Sequence, residues 1–293
     1  MVTKRTAGDY IFDHFNVIFL SLLMFIAIYP FLYIIIASFS SANLLVAHQG
    51  ALIWPVGFST RAYEAVLQNP AIYIGYKNTV IYVVAGTACN IFMTSLAAFI
   101  LSRKSFYWKS LIMTMFVITM FFSGGLIPNY LQVRRLGLLD SMWAVILPNV
   151  ISVWNLMIMK TAFQSIPDSL EEAAKIDGAN ELYILFRIIL PLSLPTIAVM
   201  ILYYGVGHWN AWFSAMLYFK DRNLFPLQLY LREILISNSM NDMLGGAGIE
   251  EREAISETLK YATIIVSTLP ILLVYPFLQK YFVKGVMIGA IKG

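Results

Sequence analysis

Only 12% of this 293-residue chain is charged while 59% is hydrophobic, about half the charge a soluble domain carries, so its solvent is a bilayer. The formal net charge of +4 is scattered as single or paired basic residues with no stripe, which excludes a nucleic-acid face. The lone Cys89 lies in an apolar run and leaves no disulfide framework or metal cluster to look for.

At the N-terminus, Lys4 and Arg5 precede an apolar run from Val17 to Ala37, followed by Ser38, Ser40, Ser41 and Ala42. The run exceeds the roughly 7–15 residues of a cleavable signal, so an uncleaved anchor is expected, preceded by a cytoplasmic segment 1–16. Five further stretches reach the roughly 20 apolar residues that a membrane helix needs. The six are Val17–Ser38, Asn78–Leu101, Ser110–Ile127, Met142–Phe163, Leu192–Phe219 and Tyr261–Gln279. They are too long, and too evenly apolar, for barrel strands. The third can run on through Gly124 and Gly125 to Pro128, and the fifth has room to tilt or break near Gly205 and Gly207. The expected fold is an all-α membrane protein with six transmembrane helices in one domain, 17–293.

Six spans place both termini on one side. The N-terminus, the 102–109 loop, the 160–190 segment and the tail 280–293 hold 11 of the 20 basic residues, so both termini are assigned to the cytoplasm. The loop SRKSFYWK carries most of that argument, and the inverted topology is the alternative. Two long outer loops follow, Phe39–Lys77 and Lys220–Lys260. The second contains Gly245, Gly246 and Gly248, then GIEEREAISETLK, whose helical spacing and early acids lead into the sixth span. There is no internal repeat and no low-complexity tract.

Apart from Lys160 near the end of the fourth stretch, the spans contain no Asp, Glu, Lys or Arg. Proton relays, ion sites and voltage sensors are built from such groups, so an ion-coupled carrier is disfavoured. Intramembrane catalysis is disfavoured too, since only His208 is available. No Gly-Lys pair occurs, so no phosphate-cradling loop exists and uphill work would draw on another polypeptide. Asn149 and Asn155 in the fourth span, and His208, Trp209, Asn210 and Trp212 in the fifth, admit two readings. They either hydrogen-bond between helices or line a wet path for a polar solute, with aromatic faces against sugar rings.

Residues 167–191 join the fourth and fifth spans. Pro167 suits a helix start, Asp168 and Ser169 offer capping oxygens, and Ser169 with Glu172 is a candidate capping box. Leu170, Ala173 and Ala174 form an apolar stripe, with Asp168, Glu171, Glu172 and Lys175 facing elsewhere. Gly178 permits the left-handed residue that ends a helix. Leu182, Leu185, Phe186 and Ile189 then repeat at amphipathic spacing. So short a helix is marginal alone and must pack on the membrane, on its neighbours or on a partner.

The run EAAKIDGANELYILFRIILP resembles the EAA loop of ATP-binding-cassette importer permeases, matching at Glu172, Ala173, Ala174, Asp177, Gly178, Ala179, Leu190 and Pro191. The usual aromatic at the position of Leu185 is displaced to Phe186. The end VKGVMIGAIKG and the Gly-His-Trp-Asn-Ala-Trp stretch resemble the maltose-type, carbohydrate-uptake branch. The resemblance implies the type I permease fold of a bacterial cytoplasmic-membrane importer, with ATP and Mg held by partners and no cofactor on this chain. It implies four kinds of contact: two ATPase subunits, a second homologous permease, an extracytoplasmic solute-binding protein and lipid. Glu172, Ala173, Ala174, Asp177, Gly178, Ala179, Leu182 and Phe186 would couple to the ATPase. Lys284, Gly285, Gly289 and Lys292 would reach it from the tail, and Gly245, Gly246 and Gly248 would meet the binding protein. The cargo expected is an oligosaccharide or polysaccharide, uronate polymers such as alginate included. A non-sugar solute is the alternative.

Overall fold

The structure, a computed structural model, describes residues 7–236, 257–273 and 276. Apart from one isolated bridge between Ser40 and Phe58, the described residues form helices and connections. They fall into two compact units, one of residues 7–69, 233–236 and 257–268, the other of 70–232, 269–273 and 276.

The first unit opens with α1 (Ala7–Ser38), 32 residues long. At about 1.5 Å per residue it outreaches a hydrocarbon core of about 30 Å. It starts ten residues before Val17, because Tyr10, Ile11, Phe12 and Phe15 already extend its apolar surface. The segment after it is folded, not a plain loop. The short α2 (Ala42–Ala47) and α3 (Arg61–Gln68) are drawn onto the end of α1. Ser40 Oγ donates to the Ile36 carbonyl (2.8 Å) and accepts from Val56 N–H (3.2 Å), and the Phe39 ring stacks on Tyr63 at 4.7 Å. The final helix of this chain region, residues 257–273, sets Tyr261 edge-on to Tyr33 at 5.8 Å.

The second unit is built on α4 (Pro70–Ser102), 33 residues long. Then come α5 (Lys109–Phe121) and α6 (Leu126–Arg135), bent by 118° at the break between them. The third span therefore stops at Phe121, short of Ile127, where Gly125 takes a φ of +88°. Next are α7 (Met142–Ile146), a 3-10 turn Leu147–Asn149 containing Pro148, and α8 (Val153–Gln164). The two halves of this fourth span bend by 56°.

The helix α9 (Asp168–Ile176) leads to α10 (Glu181–Ile184), a π-helical turn Leu185–Ile189 and α11 (Leu190–Leu192). Pro191 supplies no N–H and its ring crowds the carbonyl four residues back, a setting in which a wider turn is accommodated. An 86° bend at Ser193 separates this arm from α12 (Leu194–Trp209). The break expected near Gly205 and Gly207 falls later, at 210–212, before α13 (Phe213–Tyr218). A 3-10 turn Arg222–Leu224 and α14 (Leu227–Ile236) end the run.

Among the described residues, Gly8–Ser38 and Pro70–Ser102 are each long and apolar enough to cross a membrane, and up to five such spans result if each bent pair counts as one. The core of the second unit joins α4, α8, the 184–189 arm and α12 through Phe99, Leu101, Met159, Phe163, Leu185 and Met200. A smaller cluster holds Tyr82, Val133, Ala144, Tyr218 and Phe219.

Candidate docking site

The end of α4 carries Arg103 and Lys104, and both reach across to α9. Arg103 donates to Glu171 and lays its guanidinium over the Phe99 ring, 4.3 Å from the centroid. Lys104 Nζ pairs with Asp168 at 2.7 Å. Lys175 continues the chain of charge to Glu171 (3.1 Å) and to Glu181 on α10 (2.9 Å). The helix pair is thus fastened on its charged side. The Asp168 carboxyl is held below the usual carboxylate range by the hydrogen bond and charge of Lys104. Lys175 is pushed up by its hydrogen bonds to Glu181 and Glu171.

The sequence leaves open which side of α9 turns inward, and the structure decides it. Glu171 is 7% exposed, whereas Leu170 is 44% and Ile176 87% exposed. The capping expectation also changes. Pro167 occupies the cap position with no side-chain cap hydrogen bond, and Asp168 and Ser169 are already helical. Asp168 is engaged by Lys104 instead.

The turn is as the sequence indicates. Gly178 has a φ of +82°, Ala179 N–H reaches the Ala174 carbonyl at 2.9 Å and Gly178 N–H the Lys175 carbonyl at 3.0 Å, which is a Schellman closure. Asn180 Oδ1 then caps α10 by accepting from Tyr183 N–H at 2.8 Å.

Glu172, Ala173, Asp177, Gly178, Leu182 and Phe186 are exposed, and Ala174 and Ala179 half-buried. Around the turn lies a shallow cavity of about 490 Å³. Of the second stripe, Leu185 and Ile189 are buried in the core while Leu182 and Phe186 stay outside, Phe186 stacked on Phe92 at 6.4 Å. Moving the aromatic from 185 to 186 therefore places a leucine in the core and a ring on the surface.

The polar residues of the spans converge on the break in the fourth. In a bilayer every backbone group freed by a break must find a partner within the protein. Asn90 on α4 gives its amide N–H groups to the carbonyls of Asn149 (3.1 Å) and Val150 (2.8 Å). With its nitrogen so committed, its oxygen accepts from His208 Nε2–H at 2.6 Å, which fixes the imidazole proton on Nε2. Tyr204 OH accepts from Ser152 N–H (3.1 Å) and meets Thr94 Oγ1 (2.7 Å). Gly86 makes room for the imidazole, for a Cβ there would lie 2.6 Å from His208 Cε1.

Asn149 itself is exposed, Asn155 buried, Trp209 half-buried against Tyr76 (6.4 Å), and Asn210 exposed. Trp212 carries Arg232 over its ring at 3.7 Å. The structure thus brings Asn149 and His208 together through Asn90 and leaves Trp212 on a separate cluster. Gly245, Gly246, Gly248, Lys284, Gly285, Gly289 and Lys292 lie outside the described residues.

At the opposite end of α4, Asn78 Nδ2 donates to the carbonyls of Asn223 (2.6 Å) and Phe225 (3.0 Å), Tyr82 OH to that of Leu224 (2.8 Å), and Thr79 Oγ1 accepts from Leu227 N–H (2.9 Å). Asp140, at a φ of +55°, accepts from Lys220 N–H at 2.5 Å and from Asp221 N–H at 3.2 Å. Those two N–H groups hold its carboxyl below the usual range. Arg103, Lys104 and Asp140 were not singled out by sequence. For the first two a signal existed, the match of SRK in one loop to DSLEE in the next.

Broken apolar spans closed by internal hydrogen bonds, with a braced helix pair presented at one end, define a helical membrane component of a transport system. The chain belongs to the family of binding-protein-dependent transport system inner membrane components, which it matches over residues 4–288. It is 44% identical over 288 residues to the polygalacturonan/rhamnogalacturonan transport system permease protein YtcP of Bacillus subtilis, covering 97% of this chain and 99% of that one. It is 42% identical over 291 residues to protein LplC of the same organism, covering 99% and 97%. Among solved structures it superposes with a TM-score of 0.86 and 31% identity, over 96% of this chain and 100% of that one, on a chain from the crystal structure of a bacterial ABC transporter involved in import of the acidic polysaccharide alginate. The all-helical ABC permease fold and the transport, not catalytic, role follow.

Proposed function

We propose that this chain is the permease subunit of an ATP-driven importer for acidic oligosaccharides, with α9 and α10 as the element that an ATPase subunit grips. The observation that carries the coupling reading is the exposed face of α9. Leu170, Ala173 and Ile176 are turned outward while the charged side is tied down, which is the geometry of a helix seated in a partner's groove. Glu172 and Asp177 are exposed as acceptors beside it. The 102–109 loop and α9 share one end of the second unit, and the basic residues of that end support a cytoplasmic location for it. A second permease, two ATPase subunits and a solute-binding protein complete the assembly in the bacterial cytoplasmic membrane. Closure of the ATPase pair would move the helix pair as a rigid body.

The acidic cargo is supported by the names of the relatives, polygalacturonan and alginate both being polymers of uronic acids. Arg232 stacked on Trp212 adds a cation beside an aromatic platform. The test uses the assembled complex. Gly178→Asp and Glu172→Lys are expected to lose the ATPase on co-purification, and full association and transport in both would overturn the coupling reading. Oligogalacturonate, rhamnogalacturonan and alginate fragments are expected to stimulate ATP hydrolysis above neutral glucans. Stimulation by no carbohydrate would redirect the assignment to a non-sugar solute.

A further inference from the structure

Between α5 and α8 runs a groove of about 450 Å³. Its polar end is formed by Lys109, Ser110, Lys160 and Gln164, at the same end of the unit as Arg103 and α9. Neither lysine side chain has an ion-pair or hydrogen-bond partner among the described residues. From that end the groove continues along Met113, Val117, Ile118 and Phe121. The 13 residues of α5 span about 20 Å, slightly more than one leaflet of a core about 30 Å thick.

We propose that this groove holds an anionic phospholipid, its phosphate between Lys109 and Lys160 and one acyl chain along α5. The two ends of the groove match the two ends of such a molecule. Paired cations and the Ser110 hydroxyl meet the phosphate, and the N-terminus of α5, whose Trp108 cap makes no side-chain hydrogen bond, adds the positive end of a helix dipole. Lysines that only snorkel to the interface would need no second lysine on a neighbouring helix and no apolar channel below them. Basic pockets between spans at the cytoplasmic side are the usual form of anionic-lipid sites. The leaflet is the one on the α9 side, whichever solute the transporter carries.

Native mass spectrometry of the purified complex, exchanged into mixed phosphatidylglycerol and phosphatidylcholine, reads the site directly and without ATP. Wild type is expected to retain phosphatidylglycerol preferentially. Lys109→Gln with Lys160→Gln should lower that retention about 30-fold, two lysines each contributing about one surface charge's attraction. Val117→Trp, which fills the channel and keeps both charges, should lower retention of the whole lipid, while Lys109→Arg with Lys160→Arg keeps it. Equal retention in wild type and the glutamine pair overturns the proposal. So does displacement of the lipid by inorganic phosphate alone, which would mark an anion site with no use for the acyl groove. Neither result bears on ATPase docking, which co-purification measures separately.

Discussion

Arg103 and Glu171, 68 residues apart in sequence, meet where the end of α4 faces the inward side of α9. Their side chains are only 15% and 9% exposed, so this contact differs from the exposed Lys104–Asp168 pair beside it. Removing Arg103 leaves the buried Glu171 carboxylate with Lys175 alone (3.1 Å), a loss that stays below the about 3–5 kcal/mol of a fully stranded buried charge. Exposed pairs, screened by water, contribute little. Arg103→Ala should therefore release α9 while Lys104→Ala barely moves it. A spin label at Ile176 would sharpen its spectrum in the first variant and not in the second, and the exchanged pair Arg103→Glu with Glu171→Arg should recover part of the order. An unchanged label in Arg103→Ala would show that the tether is not what holds the helix.

The Gly178 turn separates backbone strain from packing. A Cβ there meets nothing within 4 Å, yet φ is +82°. Alanine should cost only the left-handed penalty of about 1–2 kcal/mol, asparagine less and valine more. Transport by the assembled complex should fall in the order Gly, Asn, Ala, Val. Alanine behaving as glycine would mean that the turn relaxes once the partner binds.

Gly86 is the reverse case, a glycine required by proximity. Gly86→Ala forces His208 out of its contact with Asn90 and should cost about 1–3 kcal/mol, the usual penalty for overpacking. The double change Gly86→Ala with His208→Ala removes the clash. Its melting temperature should exceed that expected from adding the single losses, a coupling that distant sites do not show.

Asp140 predicts an acid-side loss of order. Its carboxyl is held below its ordinary value of 3.8 by the N–H groups of Lys220 and Asp221. A depressed folded value means that the contribution is full above the ordinary carboxylate range and fades as pH falls through the lowered one. Mobility of a label at Lys220 should rise only on strong acidification. Asp140→Asn keeps an acceptor oxygen and tolerates the positive φ, so it should abolish that pH dependence while retaining most of the order at neutral pH.

What the sequence revealed and what it hid follow from the range of the interactions involved. Gly178 was legible because a left-handed helix end is a local demand. The apolar character of the stretches was legible too, but their straightness was not. Hydropathy measures length in the membrane, whereas the bends at Ser123, Val150 and Ser193 depend on who satisfies the freed backbone. At Val150 that partner is Asn90, on another helix. Which face of α9 turns inward was not legible for the same reason. Its periodicity marks two sides, and only Arg103, far away in the chain, decides that the acidic one turns inward. Asn90, His208 and the Asn149 carbonyl form a structural seam, so the hydrogen-bonding reading of His208 has a concrete geometry.

The outward turn of Leu170 and Ile176 also bears on the fate of the chain before assembly. A subunit synthesised ahead of its partners would show oily side chains to water at a loop, the signature by which quality-control proteases select substrates. Its cellular half-life should then follow the supply of ATPase subunit, rising when the two are expressed together, so that matched stoichiometry is enforced by degradation of the surplus.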